Sequence, residues 1–431
     1  MKPVVRIMML VGLVLGASAV RAQDLTIEIT KGVEGALPVA VVPFGVDGPI
    51  PQDLSAIVSA DLQRSGRIDV VSPQSYHDRP ADVSQVNFAE WRSRQVDNLV
   101  IGQVRTEADG RFTVQFQLVD VLQGAQTMGY TFSVGADELR RLAHRISDLV
   151  YERLTGERGA FDTRIAYIKA AGQPGSTSYT LVVADSDGDE PQVILRSTEP
   201  LMSPAWSPDG DRLAYVSFEN RKAEIIVQDV FTGERSTVAS YPGINGAPAW
   251  SPDGRKLALT LSKDGSPSIY VHDLGTGSLS RLTHGNAIDT EPAWWPDGRS
   301  IVFTSDRGGS PQLYRIDANG GQPARQTFDG NYNARASVSP DGQYVAMVHR
   351  SSGNKFTISV MNAQTREARI VTEGSLDESP SFAPNGRMII YATSRGGRGV
   401  LKAVSVDGRV EQSLVSRDSD VRDPAWSPYM R

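Results

Sequence analysis

The side chains able to do chemistry in this 431-residue chain are almost all carboxylates. Cysteine is absent, which removes disulfides, thiol catalysis, thiolate zinc sites and iron–sulfur clusters together. The five histidines, His77, His144, His272, His284 and His349, never fall two within five residues, so zinc or His-base chemistry has no local motif to start from. No His-Glu-x-x-His, P-loop or dinucleotide glycine fingerprint is present, and no Gly-x-Ser-x-Gly elbow for a serine hydrolase. Carboxylates concentrate instead in a few loops, as Asp289, Glu291, Asp377, Glu378, Asp418, Asp420 and Asp423. Oxygen ligands of this kind hold Ca²⁺ without cysteine or histidine, which leaves a propeller enzyme or sugar binder as the competing reading. These carboxylates are spread over separate loops and form no close cluster in sequence, and the expectation is no catalytic residue, cofactor or metal. A formal charge of −6 argues against a nucleic-acid partner, which calls for a basic face.

The elements that position those loops are repeats. Pro204-Ala-Trp-Ser-Pro-Asp-Gly210, Pro248-Ala-Trp-Ser-Pro-Asp-Gly254 and Pro292-Ala-Trp-Trp-Pro-Asp-Gly298 are near copies. Weaker copies begin at Ala336, Pro380 and Pro424, so every interval is 44 residues. Ala-Trp-Ser reads as a short strand, and Pro-Asp-Gly as a turn in which Pro presets φ and Gly supplies φ > 0. An apolar second strand, an alternating third and a fourth after a Gly-containing turn complete the unit. Four short strands in about 40–45 residues make one propeller blade, and blades must stack around an axis to hide their faces. The repeated aspartates therefore describe a turn. Trp206, Trp250, Trp294 and Trp426 describe packing between blades rather than a sugar platform.

The last copy, Pro424-Ala-Trp-Ser-Pro428, supplies a first strand and nothing more. Its partners read from the other end of the repeat region, at Ile165-Ala-Tyr167, Tyr179 to Asp185 and Val193-Ile-Leu195. Second strands beginning at Ile165, Leu213, Leu257, Ile301, Val345 and Ile389 count six blades, with both ends of the region sharing the last. All six loops leading into the first strands then emerge at one mouth: Ser197 to Ser203, Tyr241 to Ala247, Thr283 to Glu291, Thr327 to Arg335, Thr372 to Ser379 and Ser416 to Asp423. Diverse loops around one opening of a rigid scaffold make a recognition surface.

Lys2 and Arg6, the apolar run Ile7 to Ala17 and small residues up to Ala22 describe a secretory signal peptide over 1–22, too short to cross about 30 Å of hydrocarbon. Cleavage after Ala22 fits best, after Ala19 next, and no later apolar stretch approaches 18 residues. The expectation is an exported periplasmic protein that meets membranes through partners. Residues 23–155 read as an α/β domain. Pro38 to Phe44 is a strand, Asp53 caps a helix ended by Gly66, and Asn98 to Glu107 forms a hairpin with Arg111 to Val121. A last helix runs from Asp137 to Gly156. Residues 156–162 are the linker and 163–431 the propeller. The fold class is thus mainly β: a six-bladed β-propeller of WD40-like repeats preceded by a small α/β domain.

The Pro-x-Trp-Ser-Pro-Asp-Gly unit at this period, with Gly35-Ala-Leu-Pro-Val-Ala-Val-Val-Pro-Phe44, Asn245-Gly-Ala-Pro248, Asp289-Thr-Glu-Pro292 and Pro424-Ala-Trp-Ser-Pro-Tyr429, resembles the TolB family, periplasmic propellers of the Tol–Pal system. The resemblance covers essentially the whole chain after the signal. It implies a non-catalytic adaptor that supports outer-membrane constriction at division and envelope integrity. The propeller mouth would bind the lipoprotein Pal through Asn245, Ala247, Thr290, Glu291, Asp377 and Glu378. The N-terminal segment would bind TolA through Asp24, Leu25, Ile27 and Ile29, an alternating pattern that by itself describes an ordinary strand. Colicin translocation domains are a further partner that the resemblance implies. Ile244 departs from the polar residue expected at its place.

Overall fold

The computed structural model describes residues 25–31, 35–172, 176–416 and 419–430, with the backbone alone for 25–31 and 415–416. The signal-peptide reading falls outside them.

The α/β unit is built on a sheet in the order Ile68–Val70, Leu37–Val41, Asn98–Thr106, Phe112–Asp120, Ala125–Val134. The first three strands are parallel, and the hairpin pairing from Asn98↔Asp120 onward is antiparallel. Helix α1, Leu54–Arg64, starts where the Asp53 carboxylate accepts the Ala56 N–H at 3.1 Å and ends before Gly66, whose φ of 67° continues no helix. The short α2, Phe88–Ser93, and the strand Ala125–Val134 have no counterpart in the sequence reading. Helix α3, Leu139–Thr155, buries Leu139, Leu142, Ala143, Ile146 and Val150 along one side and closes at Gly156 in the left-handed region. That stripe meets α1 and the sheet in one apolar core.

Six blades follow. The first strands of blades 1 to 5 are Leu201–Trp206, Asn245–Trp250, Asp289–Trp294, Tyr332–Val338 and Glu378–Phe382. Blade 6 is assembled from both ends of the region. Its first strand, Asp420–Trp426, pairs antiparallel with Arg164–Ala171, Trp426 opposite Ile165, and Ser178–Asp185 and Gln192–Ser197 complete it. The tryptophans hold blade to blade. The indole N–H groups of Trp206, Trp250 and Trp294 each donate at 3.1 Å to a carbonyl of the preceding blade, at Ala425, Ala205 and Ala249. In the turns after the first strands, Ser251 and Ser339 hydroxyls donate at 2.6 Å to Asp253 and Asp341, so these aspartates tie the turn.

The N-terminal strand Leu25–Lys31 does not join the α/β sheet. It pairs antiparallel with Glu411–Ser416, from Leu25↔Ser416 to Lys31↔Glu411, as a fifth strand on the outside of blade 5. Alternation predicts a strand but cannot name its neighbour, and the outer strand of a blade offers a free row of backbone groups.

The α/β unit sits under the propeller at the end opposite the loops that lead into the first strands. Its contacts are with turns that join the first strand to the second and the third to the fourth. Arg140 of α3 binds Asp185 at 2.9 Å and Asp189 at 3.1 Å in blade 6, and Asn385 donates at 3.0 Å to the Arg158 carbonyl.

Candidate functional site

Every first strand carries the same irregularity. Its register against the second strand slips between Met202 and Ala205, Gly246 and Ala249, Thr290 and Ala293, Ala334 and Ser337, Glu378 and Ser381, Arg422 and Ala425. At each bulge one non-glycine residue takes a left-handed backbone: Ser203, Ala247, Glu291, Arg335, Ser379 and Asp423, with φ from 46° to 56°. Such a conformation costs on the order of 1 kcal/mol or more, so six copies at one place mark a device of the scaffold. Five of the six line the central channel, a cavity of about 470 Å³, whose deeper wall is formed by the Pro-Ala-Trp segments.

The ring of bulge residues is wired together. Asp423 accepts from the Ser203 N–H at 3.2 Å, the Ser379 hydroxyl at 3.0 Å and the Arg335 guanidinium at 2.8 Å. Burial alone would raise the Asp423 pKa, but Arg335 with the Ser203 and Ser379 donors outweighs it and holds the carboxyl low. Glu291 accepts from the Thr304 hydroxyl at 3.0 Å, while its own N–H donates to Thr260 at 3.2 Å.

A second set of positions, also 44 residues apart, clasps the loops from inside. Asn245, 2 % exposed, accepts from the Tyr241 N–H at 2.9 Å and donates to the Tyr241 carbonyl at 2.6 Å. Asp289 is buried against Arg307 at 2.8 Å, and Asn333 donates to the Asp329 carbonyl at 2.7 Å. Asp377, 1 % exposed, accepts from the Thr372 and Thr393 hydroxyls at 2.5 Å each, and burial raises its pKa against their pull.

The sequence-derived mouth residues therefore divide. Ala247 and Glu291 face the channel, Thr290 is half-buried beside them, and Glu378 is exposed. Asn245 and Asp377 are buried, with polar atoms bonded to Tyr241 and to Thr372 and Thr393. Of the other acidic residues, Asp420 accepts from the Gly399 N–H at 3.2 Å, and Asp418 lies outside the described residues. Asp289, Glu291, Asp377, Asp420 and Asp423 thus face separate protein donors rather than a shared centre. Among the described residues the acid–histidine grouping tight enough for a cation is Asp61, His144 and Asp187, at the far end beneath blade 6.

Sequence reasoning missed an apolar rim. Ile244, Ile288 and Leu376 are about half exposed at one repeat position on blades 2, 3 and 5, with the half-buried Tyr332 at the same position on blade 4. Met202 and Phe328 are exposed in the same set of loops. The signal was present: Ile244, read through the period, points to 288, 332 and 376. At the N-terminus, Leu25, Ile27 and Ile29 lie in the strand on blade 5, and Asp24 falls outside the described residues.

Six blades around a channel, with variable loops at one mouth and an α/β unit beneath the other, define a propeller that presents a surface. Residues 151–430 match the family described as the TolB beta propeller domain, and residues 25–127 the TolB amino-terminal domain. The chain belongs to the TolB family. A crystal structure of TolB from Acinetobacter baumannii is 43 % identical with a TM-score of 0.87, over 94 % of this chain and 100 % of that one. The Tol-Pal system protein TolB of Methylococcus capsulatus is 53 % identical over 54 % of this chain and 55 % of its own. The protein of that name from Thioalkalivibrio sulfidiphilus is 52 % identical over 54 % and 53 %. These alignments span about half the length of those curated relatives. Among the described residues, no helix is long and apolar enough to cross a membrane.

Proposed function

We propose that this protein is a non-catalytic periplasmic adaptor of the Tol–Pal system, binding Pal at the propeller mouth and TolA through its N-terminal segment. It thereby supports outer-membrane constriction and envelope integrity. The observation that carries the reading is the mouth itself. Ile244, Ile288 and Leu376 stand exposed around a channel whose lip carries Glu291 and the nearby Glu378. Exposed apolar side chains around fixed polar groups are what a protein partner uses, the former for area and the latter for register. Asp289, Glu291, Asp377 and Asp423 at that mouth are occupied with separate protein donors, which favours adhesion over hydrolysis or cation binding.

For TolA, the support is the N-terminal strand. It is held by a single ladder along Glu411–Ser416, and an extended segment held by one edge can be handed to another sheet edge. A combined Ala247→Arg, Glu291→Arg variant tests the mouth. Calorimetry should show Pal binding weakened by about 10-fold or more, with thermal unfolding unchanged. Equal affinity of the folded variant and the wild type would remove Pal from this face.

A further inference from the structure

A cleft of about 320 Å³ opens between the α/β unit and the underside of blades 4 and 5, at the end of the propeller opposite the mouth. In a chain that carries −6 overall, this cleft is lined by five arginines, Arg64, Arg67, Arg369, Arg387 and Arg409, against two carboxylates, Glu157 and Asp407. Glu157 is divided between two of the guanidinium groups, Arg67 at 2.9 Å and Arg387 at 3.2 Å. Asp407 reaches Arg409 only at 3.8 Å, and the Arg409 side chain is 72 % exposed. Arg64 is held by Asp61 at 3.0 Å and stacks over Phe161, so it belongs to the wall. Arg67, Arg387 and Arg409 therefore bring three guanidinium groups toward one opening against two carboxylates, Glu157 shared by two of them and Asp407 only loosely paired with the third.

Beside the polar Ser65, Asn385, Ser405 and Gln412, the cleft has an apolar wall. Tyr151 and Phe161, edge to face at 5.7 Å, come from the α/β unit and its linker, while Met388, Val406 and Val410 come from blade 5. A concave, largely apolar pocket of about 300–1,000 Å³ with a few convergent charged groups is the usual form of a small-molecule site. Guanidinium forks match carboxylate and phosphate oxygens two at a time. We propose that this cleft binds a small organic anion: an aromatic or branched apolar body placed against Tyr151, Phe161 and Val410, with a carboxylate or phosphate head between Arg387, Arg409 and Arg67. Because its walls belong to both units, the ligand would fasten the α/β unit to the propeller, and occupancy would register as thermal stabilisation.

The test uses the full mature chain and four probes: phenyl phosphate, benzoate, inorganic phosphate and neutral benzyl alcohol. Calorimetry and thermal unfolding should show phenyl phosphate or benzoate binding and raising Tm, with inorganic phosphate and benzyl alcohol each at least about 10-fold weaker. Whichever aromatic anion binds more tightly assigns the head group. An Arg387→Gln, Arg409→Gln variant changes exposed side chains and should fold. It should lose about 10-fold or more in affinity for the aromatic anion, while Arg196→Gln on an outer strand should not. Three results would overturn the proposal: no binding of either aromatic anion at millimolar concentration, inorganic phosphate binding as tightly as phenyl phosphate, or undiminished binding by the double variant.

Discussion

Arg335 of blade 4 and Asp423 of blade 6 meet across the central channel, Nη2 to Oδ1 at 2.8 Å, passing over blade 5 whose Ser379 donates to the same oxygen at 3.0 Å. Both residues sit at bulges with φ near 50°, so the strained backbone of two blades presents an ion pair that belongs to neither. The contact ties the closing blade to the ring from inside, independently of the strand pairing that ties it from outside.

Replacing Asp423 with Asn should destabilise the propeller by about 2 kcal/mol. The figure stays below that of a fully buried pair because the Arg335 side chain is 30 % exposed and shares its charge with water. Asp423 has a depressed folded pKa, so its contribution is present above the unfolded carboxylate range and is lost as the pH falls through the folded value. Urea unfolding of wild type and variant should differ at pH 7 and converge under acid conditions. A constant difference down to the acid transition would show that Asp423 is not held by charge.

Blade closure makes a larger prediction. Trp426 pairs with Ile165, its indole N–H donates to the Thr163 hydroxyl at 2.9 Å, and the Ser427 hydroxyl accepts the Arg164 N–H at 2.9 Å. Truncation before Asp423 removes all three together with the Arg335 partner, and leaves Arg164–Ala171 as an open edge at the channel. The truncated chain should unfold at a much lower temperature and over a broader range. Unfolding at the wild-type temperature would mean that the ring does not need its sixth first strand.

How far the sequence carries this architecture depends on how each feature is encoded. A blade is one sheet spelled once every 44 residues, so the repeat copies at Pro204, Pro248 and Pro292 expose strand order and closure directly. The strand Ala125–Val134 alternates Met128, Tyr130, Phe132 and Val134 with small or polar residues, a strand signal that the sequence reading passed over. The bulge residues escaped for another reason. Ser203, Arg335 and Asp423 share a backbone conformation and no side-chain chemistry, so their equivalence is visible only as φ. Asn245 and Asp377 look like contact residues in a loop, and nothing in their spacing reveals that their donors and acceptors turn inward.

Beneath blade 6, His144 provides a pH prediction. Its Nδ1 lies 2.7 Å from Asp61, its Nε2 lies 3.7 Å from both Asp185 and Asp187, and Arg140 and Arg64 complete the cluster. Burial alone would lower the imidazole pKa, but Asp61, with Asp185 and Asp187, outweighs it and raises the value to about 10. A folded pKa above the unfolded value means the stabilisation is complete below about pH 6.5 and disappears as the pH rises through about 10. Wild-type stability should fall across that window. His144→Gln should cost roughly 3 kcal/mol near neutrality by removing the imidazolium charge beside the buried Asp61, and should flatten the slope. A variant with the wild-type slope would assign the pH dependence elsewhere.

The last prediction concerns the strand on blade 5. Leu25–Lys31 covers the row of backbone groups that Glu411–Ser416 would otherwise leave open, and Lys402 Nζ holds Glu411 at 2.6 Å on the inner side of the same strand. The added strand makes no other ladder, so its removal costs the blade one edge and leaves the four-stranded sheet whole. Deleting residues 23–30 should therefore leave the main unfolding transition in place and speed hydrogen exchange of the amides at 411–416, which lose their covering partner. If TolA takes this segment, the deletion should abolish TolA binding and change Pal affinity only modestly, because Ala247 and Glu291 sit on blades 2 and 3 while the segment lies on blade 5. The same chain with residues 23–30 intact and TolA added should show the same faster exchange at 411–416, since a segment taken up by a partner strand no longer covers blade 5. Undiminished TolA binding by the deleted protein would leave Leu25–Lys31 a structural strand. TolA binding without faster exchange would place the contact on this segment while it remains docked.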